Sequence, residues 1–111
     1  MNEQIIAVTT NDISGYEVVE TYGEVFGVLV RSRNVVSSLG ASLKSIIGGE
    51  IGGYSKLLSD SRIEAVERMK KAAAERGANA VLAMRFDTGD IGGTMNEVAA
   101  YGTAVKIRPQ K

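Results

Sequence analysis

The sequence contains no cysteine, no histidine and no tryptophan, and it has one proline among 111 residues. Without cysteine the chain cannot form a disulfide, a thiolate nucleophile, a zinc finger or an iron–sulfur cluster. Without histidine it has no imidazole metal ligand and no Ser-His-Asp triad. It also lacks an excess of either charge, because 13 basic and 13 acidic side chains balance. That balance argues against nucleic acid as a partner, since such binding draws on a positively charged surface.

Long hydrophobic runs are absent as well, and none approaches the ~20 residues that a membrane span requires. The first four residues lack the basic segment that opens a signal peptide. We therefore predict one domain over residues 1–111, located in the cytoplasm and not in a membrane. A compact domain of this length has a radius of gyration of about 13 Å.

Aromatic residues account for only 5% of the chain. The core must then consist mainly of valine, isoleucine, leucine and alanine, which leaves a domain of this size marginally stable on its own. Association with further copies of the chain is a common way to stabilise such a domain.

The charges are distributed unevenly along the sequence. Residues 1–30 contain five acidic side chains and no basic ones, whereas residues 31–111 contain thirteen basic and eight acidic ones. This division is typical of two solvated faces of one domain. It is also compatible with an acidic surface of one subunit meeting a basic surface of the next.

Four segments have the composition of β-strands. Residues 5–10 form a short one, and residues 16–31 form a long one that we expect to bend at Gly23 and Gly27, since glycine within a strand marks a bulge or a close backbone approach. Residues 80–86 and 95–108 form the other two. Residues 87–93 are interpreted as a turn or loop.

Two segments have apolar residues at the three- and four-residue spacing of helices. The first covers residues 34–47. The second covers residues 54–76, although Ser61 and Glu64 match a capping box that would start the helix later. Its predicted buried face is made by Leu58, Ala65, Val66, Met69 and Ala73.

The resulting order is β-β-α-α-β-β. We predict an α+β fold, a single small domain with a mostly antiparallel sheet and the helices on one of its faces.

Several segments also occur in a specific order. They are residues 16–30, Ile46-Ile47-Gly48-Gly49, Gly53-Tyr54, the corner Arg76-Gly77-Ala78-Asn79-Ala80-Val81, and Tyr101-Gly102-Thr103-Ala104-Val105-Lys106. In this order they resemble the YbjQ family of small bacterial and archaeal proteins, a family whose label refers to heavy-metal binding. The resemblance covers nearly the whole chain.

The resemblance implies an α+β subunit similar to the dodecin type, assembled with copies of itself as a ring, a pentamer. It implies no established enzymatic activity and supplies no site residues. The heavy-metal label disagrees with the composition, because soft metals prefer thiolate, thioether and imidazole ligands. Of these three the chain offers only the thioether of methionine.

Two glycine-rich segments share one pattern, Gly49-Glu50-Ile51-Gly52-Gly53 and Gly89-Asp90-Ile91-Gly92-Gly93. If they met across a subunit boundary, Glu50 and Asp90 could form a carboxylate pair, with Asp87 nearby. Oxygen ligands suit Mg²⁺, Ca²⁺ or Mn²⁺. The pattern therefore suggests a site at a subunit boundary for a divalent metal ion or a small ligand. The alternative is two solvent-exposed turns.

Met84 and Met95 form a second candidate pair, since a hairpin could bring the two thioethers together for Cu(I) or Ag(I). The alternative for both is packing in a core or an interface. No spacing of carboxylates singles out a general acid–base pair. We therefore expect a protein that is not an enzyme.

Overall fold

A long bent strand and a long helix dominate the structure, a computed structural model that describes residues 5–32, 52–92 and 95–111. Its elements are β1 (Ile6–Ala7), β2 (Tyr16–Ser32), α1 (Gly52–Glu75), β3 (Ala80–Ile91) and β4 (Met95–Pro109). The strands form one sheet in the order β1-β3-β4-β2, in which β1 is parallel to β3 and the other pairings are antiparallel. The described residues thus form the small α+β domain that was predicted, with a mixed sheet.

Strand β2 confirms the predicted long strand and its bend. Its register against β4 shifts between Val18 and Glu20 and again between Thr21 and Gly23. Gly23 has a φ of 105°, which L side chains rarely adopt. The closing strand β4 is also confirmed.

The first and third strands differ from the prediction. β1 is only two residues long, because β3 has a bulge after Leu82 that ends the regular pairing. At this bulge the Met84 N–H donates to the Val8 carbonyl and the Ala83 N–H donates to the Thr10 carbonyl. The loop predicted over residues 87–93 is wrong for its first part, since β3 pairs with β4 as far as Ile91. Cross-strand pairing has extended the strand through a glycine.

Helix α1 confirms the second predicted helix but begins at Gly52, so the later start at Ser61 is wrong. The Ser61 hydroxyl instead donates to the Leu57 carbonyl at 2.9 Å and accepts from Arg31 Nε at 2.8 Å. It thereby joins the helix to the end of β2. Within the described residues, no helix combines the length and apolarity needed to cross a membrane.

The helix predicted over residues 34–47 lies outside the described residues. The order within the described ranges is therefore β-β-α-β-β and differs from the six-element order predicted above. Similarity to a dodecin subunit remains a prediction.

The core lies between α1 and one face of the sheet. On the helix it consists of Ala65, Met69 and Ala73, as predicted, and on the sheet of Val25, Val81, Val98, Ala100 and Ala104. Leu58, predicted to be buried, is 58% exposed. A smaller cluster on the opposite face contains Ala80, Leu82, Val105 and Ile107 and is covered by Val8 and Ile13.

Gly27 is the point of closest contact between α1 and β2. A Cβ atom at this position would overlap the Ala65 carbonyl oxygen and the Met69 amide nitrogen, and would lie 2.7 Å from Arg68 Cβ. The helix backbone therefore rests directly on the strand backbone. Only a residue without a side chain fits here.

The molecule is longer than the compact domain predicted from chain length. Its radius of gyration is 17.1 Å and its principal extents are 57 × 29 × 23 Å. The prediction of about 13 Å was wrong because it assumed a compact shape. A 24-residue helix and a 17-residue strand, lying against each other, set the long dimension.

Replacing Gly27 by alanine should lower the free energy of unfolding by about 3 kcal/mol, because the added methyl group must displace helix backbone. Gly89→Ala is the matched control: its nearest neighbour would be Glu97 Oε1 at 3.7 Å, and the free energy should change by less than about 0.5 kcal/mol. Urea denaturation followed by circular dichroism measures both. Equal midpoints for the two variants would contradict the role assigned to Gly27.

Candidate functional site

The two described carboxylates of the predicted acidic site lie on opposite faces of β3. Asp87 pairs with Ala99, on the face away from α1, while Asp90 pairs with Asn96 and borders a groove beside α1. Side chains three positions apart on a strand point to opposite sides. The structure therefore does not bring Asp87 and Asp90 together. Glu50, the third predicted ligand, lies outside the described residues.

The two methionines are also separated. Met84 is partly buried at the bulge of β3, where its Cα lies next to Gly102, whereas Met95 is exposed at the start of β4 and pairs with Ile91. Gly102 and Met95 are seven residues apart on β4, roughly 23 Å along the strand. A thioether pair does not form within one subunit.

The donor chemistry of the chain does not fit a soft heavy metal. The sequence has neither cysteine nor histidine, so methionine thioether is the only soft ligand that it offers, and Met84 and Met95 lie apart. Across residues 5–32, 52–92 and 95–111, no three or more Asp or Glu side chains lie close enough to hold a metal ion. A metal site made of carboxylates would therefore need a ligand from outside these residues or from a second subunit.

A concave surface lies between α1 and the β3–β4 hairpin, and we call it the helix groove. It has a volume of about 1080 Å³. Its helix wall is made by Leu58, Arg62, Ile63, Val66, Glu67 and Lys70, and its hairpin wall includes Phe86, Asp90 and Val98. The Arg62 guanidinium lies 4.9 Å from the centre of the Phe86 ring, a cation–π contact.

The opposite side of the sheet carries a shallow apolar surface with an acidic rim, which we call the sheet face. Its apolar residues form two cross-strand pairs, Phe26 with Tyr101 and Val28 with Ala99. Phe26 is 59% exposed and Tyr101 is 37% exposed. Three carboxylates surround them: Glu24, Asp87 and Glu97. The sequence analysis did not identify this surface, although the alternation of side chains along β2 places Phe26 and Val28 on the same face.

The free edge of β2 is partly closed by arginines from α1. Arg76 Nη1 donates to the Tyr22 and Glu24 carbonyls at 3.0 and 3.2 Å, and Arg68 Nη1 donates to the Val28 carbonyl at 2.7 Å. These carbonyls point away from β4. Because an open edge invites pairing with another strand, the two guanidiniums limit that possibility in the middle of β2.

Tyr22, on the same edge, has an electrostatically perturbed phenol. Loss of solvent around the ring, followed by the Glu20 carboxylate 3.2 Å from its hydroxyl, raises the pKa of Tyr22 above its usual value. A raised pKa keeps this phenol protonated at neutral pH. It is thus a hydrogen-bond donor and a poor candidate for a base or nucleophile.

Comparison with known proteins agrees with this small α+β domain. The family model of YbjQ, described as "Putative heavy-metal-binding", matches residues 5–108. The chain therefore belongs to the YbjQ family, and the resemblance found in the sequence is confirmed.

Relatives in the family are named UPF0145 proteins. One from Acidothermus cellulolyticus is 54% identical over 93% of this chain and 95% of its own length. YjfJ from Lactococcus lactis is 51% identical over 95% of this chain and 96% of its own. One from the archaeon Methanocella arvoryzae is 49% identical over 99% of this chain and 92% of its own.

A solved structure shares the fold. It is a protein of unknown function from Pediococcus pentosaceus, assigned to the DUF74 family, with a TM-score of 0.61 over 94% of this chain and 98% of that chain. Its sequence is 16% identical. At that identity the likeness concerns the fold alone.

Removing both arginines from the β2 edge, in an Arg68→Ala/Arg76→Ala variant, should lower the free energy of unfolding by about 2 kcal/mol, because three hydrogen bonds to carbonyls are lost. Glu64→Ala is the matched control, since it removes the 3.1 Å ion pair with Arg68 but leaves the bond to Val28. Its cost should be about 0.5 kcal/mol. Urea unfolding of all three proteins measures the difference, and similar midpoints would contradict the role of the arginines.

Proposed function

We propose that the protein is a non-catalytic, cytoplasmic subunit of a homo-oligomeric ring, a pentamer of dodecin-like subunits. The observation that supports this is the exposure of large apolar side chains. Among the described residues eleven are exposed, and they include Val18, Val19, Phe26, Val30, Leu58 and Ile63. Exposed apolar side chains gathered in patches mark interaction surfaces in soluble proteins.

The composition of the core supports the same proposal. Five of the ten buried residues in the core beside α1 are alanine, and Met69 is the largest fully buried side chain among the described residues. Each apolar Å² removed from water contributes about 25 cal/mol. A core built from alanine gains little by this route, so contact with further copies supplies burial that the single subunit lacks. The ring size follows from the family resemblance.

A second proposal is a divalent-metal or small-ligand site at a subunit boundary. Its support is the position of Asp90, which is exposed near the end of the β3–β4 hairpin, where a neighbouring subunit can approach. Glu50 would supply the second carboxylate. Mn²⁺ or Ca²⁺ fits such oxygen ligands, and the heavy-metal label in its literal sense does not.

Size-exclusion chromatography with light scattering tests the ring. At micromolar concentration we expect one species whose mass is a multiple of 11.8 kDa, five subunits if the family resemblance extends to ring size. Because burial of apolar surface drives association, moderate salt should not dissociate it. A monomer under these conditions would falsify the proposal.

Calorimetric titration tests the metal site, using untagged protein because a His tag would add the imidazoles that the chain lacks. Zn²⁺ and Cu²⁺ should bind weakly or not at all. Mn²⁺ or Ca²⁺ should give heat that disappears in Glu50→Ala and in Asp90→Ala. Glu75→Ala, which removes an exposed carboxylate at the end of α1, is the matched control and should behave as the wild type. Absence of heat, or equal heat in all variants, rejects this site.

A further inference from the structure

The sheet face is unsuited to pairing with the same face of a second copy. Its apolar centre is exposed, but a symmetric contact would place Glu24, Asp87 and Glu97 opposite identical carboxylates. Like charges at close range destabilise an interface. Arg85, which pairs with Tyr101 on this face, donates to the Thr9 and Met84 carbonyls, and the three carboxylates outnumber it. A cover that is apolar and not acidic therefore suits this face best.

The same side of the sheet shows what kind of cover it accepts. Farther along it, Val8 and Ile13 pack against the buried cluster that contains Val105 and Ile107. That cover comes from the chain's own first residues and is aliphatic. The part of the face around Phe26 and Tyr101 is the uncovered continuation of this apolar strip.

The helix wall of the helix groove offers such a cover. Leu58 and Ile63 are 58% and 59% exposed on α1, with Arg62 beside them. The neighbouring acids of α1 are already engaged, Asp60 by Lys56, Glu64 by Arg68 and Glu67 by Lys70, at 3.0, 3.1 and 3.8 Å. We call the three residues Leu58, Arg62 and Ile63 the helix ridge. Its one charge is that of Arg62, whose guanidinium stacks on the Phe86 ring of the same subunit and keeps its positive charge there.

We propose that the helix ridge of one subunit packs on the sheet face of the next, with Leu58 and Ile63 against Phe26 and Val28 and with Arg62 near the acidic rim. This inference rests on the proposed ring and names the contact that builds it. The two surfaces are different and lie on opposite sides of the sheet. A dimer built by a contact between two different surfaces still has one free helix ridge and one free sheet face. Further subunits can therefore add to it, and the assembly ends when a ring closes.

The uneven distribution of charge along the chain agrees with this pairing. Glu24, Phe26 and Val28 come from the first thirty residues, which have no basic side chain. The ridge comes from the later part, which holds every basic residue of the chain. Charge of opposite sign therefore meets across the contact while each subunit remains neutral overall.

Two double variants test the contact by removing apolar atoms with substitutions that suit the local structure. Phe26→Thr/Val28→Thr alters the sheet face on a strand, and Leu58→Gln/Ile63→Gln alters the ridge on a helix. Each protein alone should associate at least about 100-fold more weakly than the wild type. Val19→Thr, an exposed valine on the same strand outside the sheet face, is the matched control and should keep the wild-type mass. Far-ultraviolet circular dichroism verifies that all variants are folded.

Mixing the two double variants in equal amounts provides the decisive measurement. One protein keeps an intact ridge and the other an intact sheet face, so the mixture should contain a dimer of twice the subunit mass and nothing larger. Arg62→Glu should also weaken assembly, whereas Lys71→Glu, on the same helix but outside the ridge, should not.

The outcomes separate this inference from the proposed function. A wild-type monomer rejects the ring and the contact together. A wild-type ring that survives either double variant, or a mixture that forms no dimer, overturns the contact between ridge and sheet face and leaves the ring standing.

Discussion

The contact between the backbones of α1 and β2 at Gly27 constrains the rest of this structure. With no side chain at Gly27, the carbonyl of Ala65 and the amide of Met69 reach the strand. The close approach leaves little space between helix and sheet, and alanine fills half of the buried positions there, among them Ala65, Ala73, Ala100 and Ala104. Close packing of small residues gives dense dispersion contacts. It buries a small apolar area per residue, however, and that limits the stability of a single subunit.

The large apolar residues are consequently on the outside. Phe26 alternates with Gly27 on β2, so the strand that brings its glycine to the helix must turn its phenylalanine to the other face of the sheet. On α1, the face occupied by Ala65, Met69 and Ala73 is narrow, and Leu58 and Ile63 fall beyond it. The close packing between α1 and the sheet and the surfaces proposed to join subunits thus have a common cause. Both follow from placing the smallest residues where helix and sheet meet.

Much of this arrangement could be predicted from the sequence, because it depends on periodicity and on glycine. The long strand, its bend at Gly23, the main helix, the closing strand and the family were all predicted. Features that depend on contacts between residues distant in the sequence were not predicted. Ser61 resembles a helix cap in its local sequence, yet its hydroxyl is used within the helix and by Arg31. Gly89 suggested a loop, yet pairing with β4 extends β3 through it, and that extension places Asp87 and Asp90 on opposite faces. A candidate site built from spacing alone fails when a predicted loop is a strand, because alternation then separates residues that a loop would leave free to meet.

The family's heavy-metal label and this chain's residues can be reconciled only if the label does not describe a set of soft ligands. A chain with neither cysteine nor histidine belongs to the family by a match that covers residues 5–108, so such ligands are not needed to make the fold. What the chain does possess is a small-residue seam, an arginine-protected edge and two apolar surfaces of different charge. The proposed ring would use these features together. In that proposal, a subunit with a marginal core and two unlike surfaces gains stability each time one surface covers the other, and the gain is complete only in a closed ring, where neither surface remains in water.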